Sequence, residues 1–141
     1  MSSYLVAAMR TGVRSGEVVG TSDVPRLSFG APVEFKGEEG VWTPEHFFTA
    51  AVATCFVNTF ESIAEISKFQ FQSLGVTAEG ILENGEGGYC FTGVTLRPKL
   101  TISRDESKKR GLLLLEKAGR VCLISRSILC EVSVEPKVVV R

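Results

Sequence analysis

The sequence contains little that would point to nucleic acid or to a metal. It has one His and one Trp, its 16 acidic residues balance its 16 basic residues, and its longest basic run is only Lys108-Lys109-Arg110. A nucleic-acid-binding protein normally presents a basic surface, so this balance argues against that role. A single imidazole, His46, with four dispersed cysteines makes a four-ligand zinc site improbable. We therefore predict no nucleic-acid partner, no metal and no cofactor.

The sequence also predicts no targeting segment and no membrane-spanning segment. Residues 1–10 have no basic segment ahead of an apolar run, which a signal peptide would require. The longest mostly apolar stretch, residues 47–57, is shorter than the roughly 20 residues that cross a bilayer. The chain shows no repeat or low-complexity linker, and its length suits one core. We expect a cytoplasmic protein with no membrane partner and a single domain over residues 1–141.

Periodicity and helix signals predict an α+β protein. Thr43 can cap a helix that starts at Pro44, and Glu45 suits its first turn. The first half of this helix is apolar on every side, which is typical of burial all round, so a sheet should wrap around it. The expected order is βββ–α–ββ–α–α–β. The predicted strands are residues 4–9, 17–20, 26–29, 74–83, 89–103 and 131–140, with a turn at 15–16 and residues 33–35 extending the first sheet. The predicted helices are residues 44–68, 105–117, ended by Gly119, and 122–129.

The four cysteines differ in their predicted surroundings. Cys90 and Cys130 fall in phase with the apolar faces of their strands, so both read as core residues. Cys55 lies within the apolar helix, where desolvation disfavours a thiolate, and its position alone favours a structural role. Cys122 begins a short helix between two arginines, which is a better environment for a reactive or resolving thiol.

Three segments resemble the OsmC/Ohr family of osmotically induced and organic hydroperoxide resistance proteins. Residues 43–56, TPEHFFTAAVATCF, are similar to the family's central-helix signature, a T-P-E start followed by an apolar run and A-x-C-F. Residues 121–126, VCLISR, resemble its second cysteine motif, C-P-x-S, and residues 11–16, TGVRSG, its T-G-x-R-x-G turn. The chain departs from the family pattern where Leu123 replaces the proline, and Cys130 is an additional cysteine.

The resemblance implies an organic hydroperoxide reductase that uses two cysteines. Cys55 would attack the peroxide and become a sulfenic acid, and Cys122 would condense with it to form a disulfide. An external dithiol of the lipoyl type would reduce that disulfide. The family's activating arginine corresponds to Arg14, oriented by Glu45, although Arg10 and Arg26 remain open as alternatives for this cation.

The resemblance also implies an intertwined homodimer with its sites at the interface. Glu45 and Cys55 lie ten residues apart, so about 15 Å separates them along one helix. If both serve one site, Glu45 should come from a second subunit. We expect an apolar channel for an alkyl or aryl hydroperoxide near Cys55, although each of its phenylalanines could equally be an ordinary core residue: Phe47, Phe48, Phe56 and Phe60.

Two other functions stay open at this stage. The same fold could be a non-catalytic binding module that holds a lipid, an acyl thioester or another small apolar ligand at the dimer interface. It could also be a structural or stress-associated protein in which all four cysteines belong to the core. The second alternative predicts that neither Cys55 nor Cys122 reacts in the native protein.

Overall fold

The computed structural model describes residues 1–21 and 23–141 and forms two compact units, residues 1–48 and 49–141. The α+β class and the predicted element order are confirmed, whereas the single-domain organisation stays a prediction. The strands are β1 (Val6–Gly12), β2 (Ser15–Gly20), β3 (Leu27–Gly30), β4 (Ser73–Gly85), β5 (Gly88–Ile102), β6 (Glu131–Val134) and β7 (Lys137–Val140), and the helices are α1 (Pro44–Ile66), α2 (Lys108–Val121) and α3 (Leu123–Ser127).

The first unit carries an antiparallel sheet in the order β1-β2-β3. The β1–β2 connection turns at Arg14, whose φ of 54° is left-handed, so the turn predicted at residues 15–16 lies two residues too late. Val33–Phe35 forms a 3₁₀ turn and does not extend the sheet as expected. The N–H of Phe35 donates to the Pro32 carbonyl at 2.9 Å, which closes the backbone into a turn.

Helix α1 begins where its capping residue predicts. The backbone N–H of His46 donates to the Thr43 hydroxyl at 3.2 Å, and the Thr43 N–H donates to His46 Nδ1 at 3.1 Å. This is a reciprocal capping arrangement in which an imidazole replaces the usual carboxylate. The helix ends at Ile66, two residues before the predicted end, because Lys68 adopts a left-handed conformation and the Phe69 N–H closes onto the Ala64 carbonyl.

Within the single chain, helix α1 is buried along one stripe and not all round. Val52, Phe56, Phe60 and Ile63 repeat at helical spacing and are all buried, whereas the first turns are half-exposed. By length and composition the helix could also cross a bilayer, a test that the core helix of a soluble protein passes as well.

The second unit is built on the long β4–β5 hairpin, which turns at Glu86-Gly87, a tighter turn than predicted. Strands β6 and β7 pair parallel with β5. The closing strand was predicted as one segment, but it is divided at Glu135-Pro136, where proline has no N–H to donate to a ladder. The core combines apolar side chains of β5 and α2, namely Val94, Leu96, Leu100, Ile102, Leu115 and Ala118.

A β-bulge explains why the prediction for Cys90 is wrong. Ile81 pairs with Gly93, but Leu82 pairs with Phe91, so Thr92 is an extra residue in β5. Such an insertion moves every earlier side chain of the strand to the opposite face. Cys90 is consequently exposed, while Cys130, just before β6, is half-buried.

Helix α2 continues through Gly119 and does not end there as predicted. A Cβ atom at Gly119 would approach Val134 Cγ2 to 2.7 Å, so the glycine permits close packing of the helix against β6. The helix ends at Val121, and α3 starts only two residues later. This leaves Cys122 as the single residue between the two helices.

Candidate active site

Cys55 lies near the middle of α1, at one flank of the buried stripe. Its side chain is half-buried, and its Sγ lies 3.8 Å from the hydroxyl of Thr59, one turn further along the helix. Both residues line a groove of about 430 Å³ on the second unit, together with Asn58, Leu123 and Ile124. The sulfur therefore has access to a surface groove with an apolar wall.

Cys122 occupies the junction between α2 and α3 and is 0% exposed. Its backbone is extended, with ψ near 121°, which ends α2 and makes it the N-cap of α3. Its N–H donates to the Ala118 carbonyl, and its own carbonyl accepts the N–H of Arg126. The prediction that Cys122 begins a short helix is correct to within one residue.

The two thiols contact each other. Cys55 and Cys122 are both free thiols, and their side chains lie close enough to interact. The fold thus brings the sulfur atoms of α1 and the α2–α3 junction together within one unit. Two adjacent thiols can exchange a proton and, once one of them is oxidised, can form a disulfide.

The surroundings of Cys122 favour its thiolate. Burial raises the pKa of the Cys122 thiol, but the nearby Cys55 thiol and Ser125 hydroxyl, together with the backbone N–H groups of Ser125 and Ile124, outweigh it, so its pKa is lowered below the ordinary value of 9.0. A thiolate gains more than a thiol from such donors because it carries the charge. Arg120 and Arg126, which the sequence analysis expected to favour this thiolate, are exposed. Short-range hydrogen-bond donors therefore favour the thiolate instead.

Thr59 and Ser125 were not singled out for a role from the sequence. Ser125 was visible only as the last letter of the C-x-x-S motif, and Thr59 carried no signal because the Cys55–Thr59 spacing is common on any helix. Each hydroxyl becomes noticeable only when the fold shows which sulfur lies beside it.

Arg14 and Glu45 line one cavity in the first unit. This cavity has a volume of about 400 Å³ and also includes Arg10, Met9 and Phe29. Arg26, the third candidate for the activating cation, pairs instead with Glu17 at 3.3 Å on the exposed side of the sheet. The structure therefore groups Arg10 and Arg14 with Glu45 and leaves Arg26 with another carboxylate.

The four phenylalanines predicted to line a channel are divided between two environments. Phe56 and Phe60 are 0% exposed and belong to the core stripe of α1, so they do not line the groove beside Cys55. Phe47 stacks on Trp42 with ring centroids 5.8 Å apart, and Phe48 is half-buried. Among residues 1–21 and 23–141, no group of three or more His, Cys, Asp and Glu side chains could hold a metal ion.

Comparisons with known proteins identify the family. A family model described as OsmC-like protein matches residues 37–137. The uncharacterized protein YmaD of Bacillus subtilis (strain 168) is 30% identical over 115 residues, which cover 78% of this chain and 77% of the relative.

Solved structures support the same assignment. An organic hydroperoxide resistance protein OsmC from Legionella pneumophila is 29% identical, with a TM-score of 0.78 over 99% of this chain and 98% of its own. An OsmC-like protein of unknown function from Vibrio cholerae, 21% identical, has the same fold with a TM-score of 0.85 over 96% of this chain and 99% of its own. The chain belongs to the OsmC-like protein family and has its α+β fold.

Proposed function

We propose that this protein is a thiol-dependent peroxidase that reduces organic hydroperoxides. The observation that carries the proposal is the proximity of the Cys55 and Cys122 thiols, one beside an open groove and the other enclosed. The relative from Legionella pneumophila is named an organic hydroperoxide resistance protein, which agrees with this activity. If the two cysteines had only a structural role in the core, neither sulfur would need to lie beside a groove.

In the first step the Cys55 thiolate attacks one peroxide oxygen. An S–O bond forms, the O–O bond breaks, and the alkoxide leaves and takes up a proton to become an alcohol. Cys122 then attacks the sulfenic acid sulfur, an S–S bond forms, and hydroxide leaves and is protonated to water. The hydrogen-bond donors around Cys122 keep this second thiol ready for deprotonation.

Activation of Cys55 is assigned to Arg14, with Glu45 orienting its guanidinium. Their common cavity supports this assignment, as does the pairing of Arg26 with Glu17. Helix α1 is continuous from Pro44 to Ile66, so the distance of about 15 Å along the axis separates Glu45 from Cys55. Arg14 and Glu45, which line one cavity, would therefore reach the site together from the second subunit of a homodimer.

The substrate class follows from the groove. Leu123, which is 64% exposed, and Ile124 provide an apolar wall beside Cys55. An alkyl or aryl group would bury this surface, whereas hydrogen peroxide would gain nothing from it. Phe47 and Phe48 stay in the proposed channel, while Phe56 and Phe60 contribute only as core residues.

A lipoyl-type dithiol is the proposed reductant, and the cytoplasm is the proposed location.

A steady-state assay tests the activity. Purified protein is mixed with a lipoyl-type dithiol and either cumene hydroperoxide or hydrogen peroxide, and peroxide consumption is followed. We expect cumene hydroperoxide to be consumed much faster than hydrogen peroxide, and the Cys55→Ser variant to match the protein-free rate. If the native protein consumes neither peroxide faster than Cys55→Ser, it is not a peroxidase.

A further inference from the structure

The two sulfur atoms differ in their access to a second reactant. Cys55 is half-buried and lines the groove, whereas Cys122 is 0% exposed. A reductant must approach a disulfide in line with the S–S bond and attack one of its two sulfurs. The groove leads to the sulfur of Cys55.

The hydroxyl of Ser125 lies beside the other sulfur of the pair, that of Cys122. Its Oγ is buried and completes no hydrogen bond of regular geometry with any group of residues 1–21 and 23–141, but it lies close enough to Cys122 to interact with its sulfur. Ser127 lies on the same short helix but has a hydrogen-bond partner, because its exposed hydroxyl donates to the Leu123 carbonyl at 2.7 Å. A buried hydroxyl without a satisfied partner costs stability unless some state of the protein uses it.

We propose that Ser125 is a positioning residue that receives Cys122 as the leaving thiolate, so that a dithiol reductant attacks Cys55 of the Cys55–Cys122 disulfide. This inference rests on the proposed two-cysteine chemistry and deepens it. It assigns the reductant to the same groove as the hydroperoxide, so the two reactants use one entrance in turn.

The exchange balances in two steps. A thiolate of the dithiol attacks Cys55 Sγ, a mixed disulfide forms, the bond between the two protein sulfurs breaks, and its electron pair goes to Cys122 Sγ. The second thiol of the reductant, as a thiolate, then attacks the reductant's own sulfur in the mixed disulfide and releases the Cys55 thiolate. The dithiol ends as a cyclic disulfide, and its two protons become available to the two protein thiolates.

The acidity of the two thiols points the same way. A thiol of lower pKa is the better leaving group in thiol–disulfide exchange. The pKa of Cys122 is lowered because the Cys55 thiol, the Ser125 hydroxyl and two backbone N–H groups together outweigh the effect of its burial. When the S–S bond breaks, the negative charge thus develops on the Cys122 sulfur, which already has hydrogen-bond donors beside it.

Trapping the mixed disulfide tests the direction of attack. The disulfide is made with diamide, which does not depend on peroxidase activity, and is treated briefly with 2-mercaptoethanol, quenched in acid and alkylated with N-ethylmaleimide. Trypsin separates the cysteines, because Arg120 and Arg126 flank Cys122 and Lys68 lies between Cys55 and Cys90. We expect mercaptoethanol on Cys55 and maleimide on Cys122; the Cys90→Ser/Cys130→Ser variant should give the same pattern.

Mercaptoethanol on Cys122, or equally on both cysteines, would overturn the proposal. Failure of diamide to form any Cys55–Cys122 disulfide would overturn it as well, since no leaving group would then exist. By contrast, a protein that shows the expected adducts but does not consume hydroperoxide would refute only the peroxidase function.

Substitution of Ser125 tests its part. In the Cys55→Ser background, thiolate absorbance near 240 nm reports the titration of Cys122, and we expect Ser125→Ala to raise its pKa. In the otherwise native protein, Ser125→Ala should slow reduction of the disulfide by a dithiol roughly threefold to tenfold. Ser125→Thr should restore most of the rate, and Ser127→Ala should change neither quantity. If the pKa of Cys122 is unchanged in Ser125→Ala, Ser125 does not stabilise the Cys122 thiolate and the proposal is wrong.

Discussion

Cys55 lies in the middle of a long helix beside an open groove, whereas Cys122 lies at a tight junction between two helices and is closed to solvent. Beside Cys55 lie the hydroxyl of Thr59 and the thiol of Cys122. Cys122 has the Ser125 hydroxyl and two backbone N–H groups in addition to Cys55. In the proposed function this contrast corresponds to a division of roles, in which the accessible sulfur meets reactants and the enclosed sulfur accepts and releases charge.

The largest expected effect is the loss of the accessible sulfur. Cys55→Ser should lower hydroperoxide consumption by roughly three orders of magnitude or more, because a hydroxyl is a far weaker nucleophile than a thiolate. Consumption of cumene hydroperoxide in the presence of excess dithiol measures the effect. Cys90→Ser is the matched control, since Cys90 is exposed yet lies outside the groove; a comparable loss in that variant would contradict the assignment of Cys55.

The enclosed sulfur should be needed for turnover but not for the first reaction. Cys122→Ser should still consume about one equivalent of hydroperoxide, because the Cys55 thiol remains. Later turnovers should slow roughly a hundredfold, since the sulfenic acid has no resolving thiol. Rapid mixing, with sulfenic acid trapped by dimedone, separates the two phases.

Cys130→Ser, which removes a half-buried cysteine, is the control for this experiment. It should leave both phases unchanged. If Cys130→Ser stops later turnovers while Cys122→Ser does not, the additional cysteine is the resolving thiol.

A smaller effect should follow loss of the activating cation. If the proposed assignment holds, Arg14→Ala should lower the second-order rate with hydroperoxide roughly tenfold to a hundredfold, because the guanidinium would no longer stabilise the charge of the reacting groups. Stopped-flow kinetics of the reduced protein measures this rate. Arg26→Ala, which only releases Glu17, should have little effect, and a larger loss there than in Arg14→Ala would reverse the assignment.

The smallest effect concerns stability and pH. Because the pKa of Cys122 is lowered on folding, the unfolded chain binds more protons between the folded pKa and the ordinary value of 9.0, so stability should rise with pH across that window. The stabilisation is present above the unfolded pKa and is lost as the pH falls through the folded pKa. Urea unfolding of the native protein and of Cys122→Ser at several pH values measures it, and parallel curves for the two proteins would contradict a lowered pKa.

Local signals in the sequence predicted much of the fold. The Thr43 cap and the Pro44 start located α1, and alternation located the hairpin, because these features depend on neighbouring residues. The bulge at Thr92, the continuation of α2 through Gly119 and the exposure of one side of α1 were not predictable in this way. Each depends on tertiary pairing, such as the contact of Gly119 with Val134.

The candidate site was predictable in its cysteines but not in their environment. Position alone favoured a structural role for Cys55, and only the motif around it indicated chemistry. The hydroxyls of Thr59 and Ser125 gained significance from the meeting of α1 with the α2–α3 junction. Phe56 and Phe60 were predicted to line a channel but belong to the core. The sequence could not separate these two roles, because an apolar stripe on a helix fits a channel and a core equally well.

The most direct test of the account is an anaerobic titration of the fully reduced protein with cumene hydroperoxide, followed by mass-spectrometric mapping of all four cysteines. The account predicts that one equivalent converts the protein to a Cys55–Cys122 disulfide while Cys90 and Cys130 stay reduced. Persistence of the hydroperoxide with all four thiols reduced would contradict it.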